Sequence, residues 1–138
     1  MKKILVIQNK RIGDVLIASV IAQNMKTVFP DSQIDYLVYD FTTGVIENNP
    51  NIDNIIAVNE KELKQFKFMR RLIKQVKNNK YDIIFDPYSK LQSRIICYFS
   101  GAKMRIGFQK RGKNPWFKFY THTVPLLEEK KHISGKAI

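Results

Sequence analysis

A single cysteine and two histidines in 138 residues set the first limits. Cys97 alone can form no internal disulfide and gives no support for a cysteine-based metal site. It lies in the apolar run Ile95 to Phe99, which predicts a packed thiol in place of a nucleophile. His122 and His132 show no ligand spacing with each other or with Cys97, so structural or surface roles are expected for them. Long hydrophobic runs are also missing. None approaches the roughly 20 residues that span a bilayer. Ile4 to Ile7, ended by polar Gln8 and Asn9, is too short for a signal-peptide core. A cytoplasmic location is the expectation. The loop after this run lacks the Gly-x-Gly-x-x-Gly of dinucleotide sites and the Gly-Lys-Ser/Thr of phosphate loops. Neither a standard dinucleotide nor a triphosphate site is expected there.

Acidic residues are the other scarcity. Lysine and arginine number 24 against 12 acids, a net charge of +12. From Lys61 to Lys118 there are 16 basic residues and three acids (Glu62, Asp82 and Asp86), so this stretch carries the whole excess. A positive field so localised suggests an anionic partner: a phosphorylated glycolipid, a membrane surface or nucleic acid. Ordinary solvated helix faces are the plainer account. Nucleic acid is the least expected partner, because no helix-turn-helix or RNP pattern accompanies the charge.

What is abundant is apolar surface, 44% of the residues, enough for one packed domain. Lys3 to Ile7 is β-branched and continuously apolar, as in a central strand buried on both faces. From Asp14 a helical spacing runs through Val15, Leu16, Ala18, Ala22, Met25 and Phe29 until Pro30. Strands are expected at Gln33 to Val38, Asn54 to Val58, Asp82 to Asp86, Lys103 to Gly107 and Phe119 to Val124. Phe41 to Glu47 reads as a short helix or turn. Glu60 to Asn79 reads as one long helix with an apolar stripe of Leu63, Phe66, Ile73 and Val76. Lys90 to Ser100 reads as another, with Gly101 after its end. This alternation implies an α/β, Rossmann-like parallel sheet with helices on both faces. In such sheets ligands collect beyond the carboxyl ends of the strands. The loop after the first strand lies there, as do Asp86 to Lys90.

Position alone leaves Asp14 with two readings. Aspartate at a helix start caps free backbone N–H groups, contributing about 0.5–2 kcal/mol. On position the cap is the favoured reading, and a reactive carboxylate is the alternative. Lys10 and Arg11 in the same loop are either solvated charges or partners for phosphate and carboxylate groups.

The run from Lys3 to Leu16, with Gly13-Asp14-Val15-Leu16 at its end, resembles the opening of glycosyltransferase family 9, the lipopolysaccharide heptosyltransferases. Further segments resemble that family in the same order. They are Phe29-Pro30-Asp31 with Ile34 to Val38, Asn49-Pro50-Asn51-Ile52-Asp53, Tyr81 to Asp86, Ser100 to Phe108, and Tyr120-Thr121-His122. Pro87-Tyr88 departs from the Gln-Gly that commonly follows in the family. The resemblance implies the N-terminal, acceptor-side half of a GT-B glycosyltransferase over residues 1–138, with the C-terminal donor-binding domain absent. It implies inverting transfer of heptose from an ADP-sugar to a hydroxyl of the lipopolysaccharide inner core, with no metal and no further cofactor. Asp14 would be the general base, and Lys10, Arg11, Gly13, Lys61 and Lys64 would line the acceptor. The sugar nucleotide would bind mainly through the missing domain, leaving the isolated chain inactive. Peripheral contact with the cytoplasmic face of the inner membrane is a further expectation. Against this stands a non-catalytic module that binds anionic glycolipid or nucleic acid.

Overall fold

The computed structural model describes residues 2–8, 20–87, 91–109 and 120–125. Six strands form one sheet: β1 (Lys3–Gln8), β2 (Gln33–Tyr39), β3 (Asn54–Val58), β4 (Ile83–Asp86), β5 (Met104–Gln109) and β6 (His122–Pro125). Their order across the sheet is β3-β2-β1-β4-β5-β6, and every neighbouring pair is parallel. Four helices are described: α1 (Val20–Val28), the single turn α2 (Thr43–Ile46), α3 (Phe66–Asn79) and α4 (Leu91–Phe99).

β1 is central because its side chains suit burial on both faces. Ile4, Leu5, Val6 and Ile7 are all fully buried. Burying one such side chain stabilises by roughly 1.5–3 kcal/mol. Alternation along the strand divides them between two cores. Leu5 and Ile7 pack with Leu37, Ile84, Leu72, Val76, Ile96 and Cys97, beneath α3 and α4. Ile4 and Val6 pack with Ala22, Ile34, Tyr36, Ile46 and Ile83, beneath α1 and α2. Helices therefore cover both faces, and the expected α/β architecture holds.

One sequence expectation needs correction. Glu60 to Asn79 is not a single helix. A 3-10 turn covers Glu62–Lys64, Gln65 is extended (ψ 134°), and α3 starts afresh at Phe66. Asn59 accounts for the early turn, because its side-chain oxygen accepts hydrogen bonds from the backbone N–H of Lys61 (2.9 Å) and Glu62 (3.2 Å). The break shifts the helical phase. Leu63 and Val76 stay in the core, but Phe66, expected in the apolar stripe, is 77% exposed. Leu72 takes the core position, with Phe68, Met69 and Ile73 half-buried beside it.

Helix ends follow the local chemistry. α3 closes on Lys80 in the left-handed region (φ 54°). Gly101 after α4 has φ +81°, a conformation glycine adopts at little cost.

Candidate functional site

In an open parallel sheet, ligands bind past the carboxyl ends of the strands, where the strand order reverses. Here successive strands step from β1 to β2 to β3 on one side, then return to β4 on the other side of β1. The crevice is therefore bounded by the last residues of β1 and β4, Gln8 and Asp86. Both are polar and both are fully buried.

Gln8 lies on the α1 side of the sheet, two residues on from Val6. Neither its side-chain oxygen nor its nitrogen has a hydrogen-bond partner among the described residues. Leaving such a group unmet in the interior costs about 1–3 kcal/mol. This strand end thus carries polar capacity that packing does not use.

Asp86 lies on the opposite face. Its Oδ2 accepts a hydrogen bond of 2.7 Å from the Tyr120 hydroxyl. Tyr120 reaches it by lying across Gly107 of β5, where an added Cβ would stand 2.5 Å from two ring carbons. Glycine at this position is a requirement of that close approach. Cys97 sits on the same side, fully buried. Burial chiefly, and then the negative charge of Asp86, push its thiol well above the ordinary range, with Arg105 opposing. A thiol held protonated in this way is packing, as its sequence context predicts.

Of the residues expected at the site, Lys10, Arg11, Gly13 and Asp14 lie outside the described residues. They belong to the segment between Gln8 and Val20, and Gln8 is at the crevice. Lys61 and Lys64 follow the carboxyl end of β3 and are exposed on the same edge of the sheet. Neither ammonium is paired among the described residues. β3 is two strands from β1, about 10 Å at ordinary strand spacing, so the backbone at these lysines stands to one side of the crevice. Asn59 donates from Nδ2 to the Asp40 carboxylate at 3.3 Å, joining the ends of β2 and β3 along this edge.

Sequence reasoning noted Asp86 by position but gave Gln8 and Tyr120 no part in the site. Gln8 reads as the polar end of a strand, and nothing in its neighbours announces a buried, unpartnered amide. Tyr120 is 34 residues from Asp86, a separation that no spacing rule reports.

Several other acids prove structural. Asp53 accepts from the Ile34 N–H (2.8 Å) and from Lys26 Nζ (3.0 Å). Asp82 accepts from the Lys3 N–H at 2.9 Å. Asp35 accepts from the Tyr81 hydroxyl (2.6 Å) and from Asn54 (3.0 Å). All three secure the amino ends of strands, away from the crevice. His122 is exposed and takes part in a 2.8 Å contact between its Nδ1 and Thr121 Oγ1. A groove of about 300 Å³ between β3 and α3, at the sheet's outer edge, is lined mainly by apolar Ile56, Val58, Phe68 and Leu72, with Arg71 and Gln75 also present. No helix among the described residues is long and apolar enough to cross a membrane. No cluster of three or more His, Cys, Asp or Glu side chains suited to a metal occurs among them either.

The fold and the position of the crevice define the class: a Rossmann-like α/β domain of the kind that makes up half of a GT-B glycosyltransferase. Comparison with solved structures bears this out. The chain superposes on E. coli ADP-heptose lps heptosyltransferase II with a TM-score of 0.76 at 21% identity, covering 94% of this chain and 36% of that one. Residues 69–133 match the family model for glycosyltransferase family 9 (heptosyltransferase). Among curated relatives, lipopolysaccharide heptosyltransferase 3 of Escherichia coli is 29% identical over 119 residues, 83% of this chain and 35% of that protein. Lipopolysaccharide heptosyltransferase 1 of Campylobacter coli is 29% identical over 124 residues, 88% of this chain and 36% of that protein. The chain is thus similar to members of glycosyltransferase family 9 and matches that family's model over residues 69–133. It spans about a third of the length of the curated relatives it matches.

Proposed function

We propose that this chain is the acceptor-side domain of an inverting glycosyltransferase that moves heptose from an ADP-sugar to a hydroxyl of the lipopolysaccharide inner core. The observation that carries the reading is the reversal of strand order between β1 and β4. The segment bearing Gly13-Asp14 leaves β1 at that crevice, where parallel sheets bind ligands. Similarity to glycosyltransferase family 9 supports the reaction class.

In this reading Asp14 is the general base. Its carboxylate takes the proton of the acceptor hydroxyl as that oxygen attacks the anomeric carbon. The bond to the ADP oxygen breaks on the opposite face, so the configuration inverts and ADP leaves with the electron pair. A base must stand within hydrogen-bond reach of the proton it removes. The helix start that the sequence leads one to expect at Asp14 would stabilise the ionised carboxylate and weaken it as a base. Closure of a donor domain over the crevice would exclude water and raise its basicity. Lys10, Arg11, Lys61 and Lys64 then serve as the cationic contacts for acceptor phosphate and carboxylate groups. The sugar nucleotide binds chiefly to the donor domain, and no metal is required. This domain alone is catalytically silent.

The test is Asp14→Asn in a two-domain protein carrying this sequence as its first half. Transfer from ADP-heptose should fall by about 10²–10⁴, the usual contribution of general-base catalysis, with the circular dichroism spectrum unchanged. Near-normal turnover would remove Asp14 from the mechanism. A non-catalytic glycolipid-binding module predicts acceptor binding with no turnover by the two-domain protein at all.

A further inference from the structure

We propose that the outer face of α3 is a docking surface for an anionic phospholipid bilayer. α3 contains Lys67, Arg70, Arg71, Lys74 and Lys77 and not one acidic residue. All five are exposed. They recur at steps of three and four residues, which places them on one side of the helix. The opposite side carries Leu72 and Val76 into the core. Over its 14 residues the helix is about 21 Å long, so the cations form a stripe of that length. Lys61 and Lys64 extend it at one end and Lys80 at the other.

Stability does not explain this arrangement. A solvated helix face normally mixes acids and bases, since like charges at three- and four-residue steps repel. Lys67 also stands in the first turn, where the helix dipole disfavours a cation. The one ion pair among the described residues, Lys26 to Asp53, lies elsewhere. Arg71 is placed over the Phe68 ring, 6.0 Å from its centroid, while the other four have no partner among the described residues. An anionic surface would relieve the repulsion all along the stripe.

A bilayer fits better than nucleic acid because of Phe66. This ring is 77% exposed at the start of α3, between Lys64 and Lys67. Phe41, which follows β2 at the same edge of the sheet, is 53% exposed. A basic helix with projecting phenyl rings is the pattern of segments lying in a lipid headgroup layer. The acceptor proposed above is itself a lipid, but the charge argument does not depend on it.

The experiment is co-sedimentation of the full chain with vesicles of phosphatidylcholine containing about one-third phosphatidylglycerol. Binding is expected to these vesicles, and not to phosphatidylcholine alone. Each cation near such a surface contributes about fivefold in affinity at low salt. The Arg70→Gln/Lys74→Gln variant should therefore bind at least tenfold more weakly, and Phe66→Ser should also weaken binding. A control, Lys2→Gln, removes a cation that sits over Phe29 on the sheet face opposite α3 and should have less effect than Lys74→Gln alone. Equal loss in the control would reduce the interaction to net charge and overturn the assignment to α3. So would equal binding to neutral vesicles, or binding to RNA or DNA with none to the anionic vesicles. The vesicles contain no glycolipid, so failure here leaves the catalytic reading of Asp14 to its own turnover assay.

Discussion

Substituting Gly107 by alanine tests the crevice wall through its tightest contact. The new Cβ would stand 2.5 Å from Cδ2 and Cε2 of Tyr120 and 2.7 Å from Cγ. Real Cβ atoms do not approach so closely, so the ring must move. It is not a free side chain that can swing aside, because Tyr120 is 6% exposed and its hydroxyl is held by Asp86 at 2.7 Å. Overpacking of this kind costs about 1–3 kcal/mol. Loss of the hydrogen bond to Asp86 adds about 1.5–3 kcal/mol if the carboxylate is charged. Against this, alanine is favoured over glycine within a strand by roughly 0.5–1 kcal/mol. The expected sum is a destabilisation of about 1.5–5.5 kcal/mol. Urea unfolding followed by circular dichroism would show it as a midpoint lowered by about 1–3 M, for an m-value of about 2 kcal/mol/M. The decisive arm is the cycle with Tyr120→Ala. Once the ring is gone the added methyl has nothing to strike, and Gly107→Ala should cost less than about 0.5 kcal/mol. An equal cost in both backgrounds would mean that the contact with Tyr120 is not what requires glycine here.

Lys80→Gly should stabilise the chain by about 1 kcal/mol, because a lysine in the left-handed region is strained and glycine is not; a lowered thermal midpoint would contradict this. Tyr81→Phe, which removes the 2.6 Å hydrogen bond to buried Asp35, should cost about 1–3 kcal/mol in the same urea assay; an unchanged midpoint would show that bond to be dispensable. The Cys97 pKa is raised by burial first and by Asp86 second, so near pH 8 the native state holds the neutral thiol and little thiolate. Labelling by a thiol reagent should therefore be slow in buffer and fast in urea; rapid stoichiometric labelling of the folded chain would overturn that account.

The strands were legible because each is a compact apolar run between polar breaks, and hydrophobic period is a local property. The strand expected at Asn54 to Val58 matches β3 without change. The long helix was misread for an equally local reason. A side-chain cap from Asn59 and one extended residue, Gln65, interrupt a continuous helical pattern without altering its composition. Phe66 was assigned to the core because wheel phase was counted through that break.

The candidate site was legible only in part. Asp14, Lys10 and Arg11 stand out through the order of family segments, and Asp86 through its place after an apolar strand. The sequence could not separate acids that secure strand ends from an acid at the crevice. Asp53, Asp82 and Asp86 are alike in one dimension. They differ only in which edge of the sheet they reach and which N–H or O–H groups meet them there.

By itself, then, the sequence determined the alternation of strand and helix, the excess of cations between Lys61 and Lys118, and the resemblance to glycosyltransferase family 9. These depend on neighbours a few residues apart or on ordered motifs. The tertiary structure decided the strand order 3-2-1-4-5-6, and with it the crevice between Gln8 and Asp86. It decided that Tyr120 crosses Gly107 to reach Asp86. Those features arise from residues far apart in the chain brought together by burial of the two cores, and no local pattern encodes them.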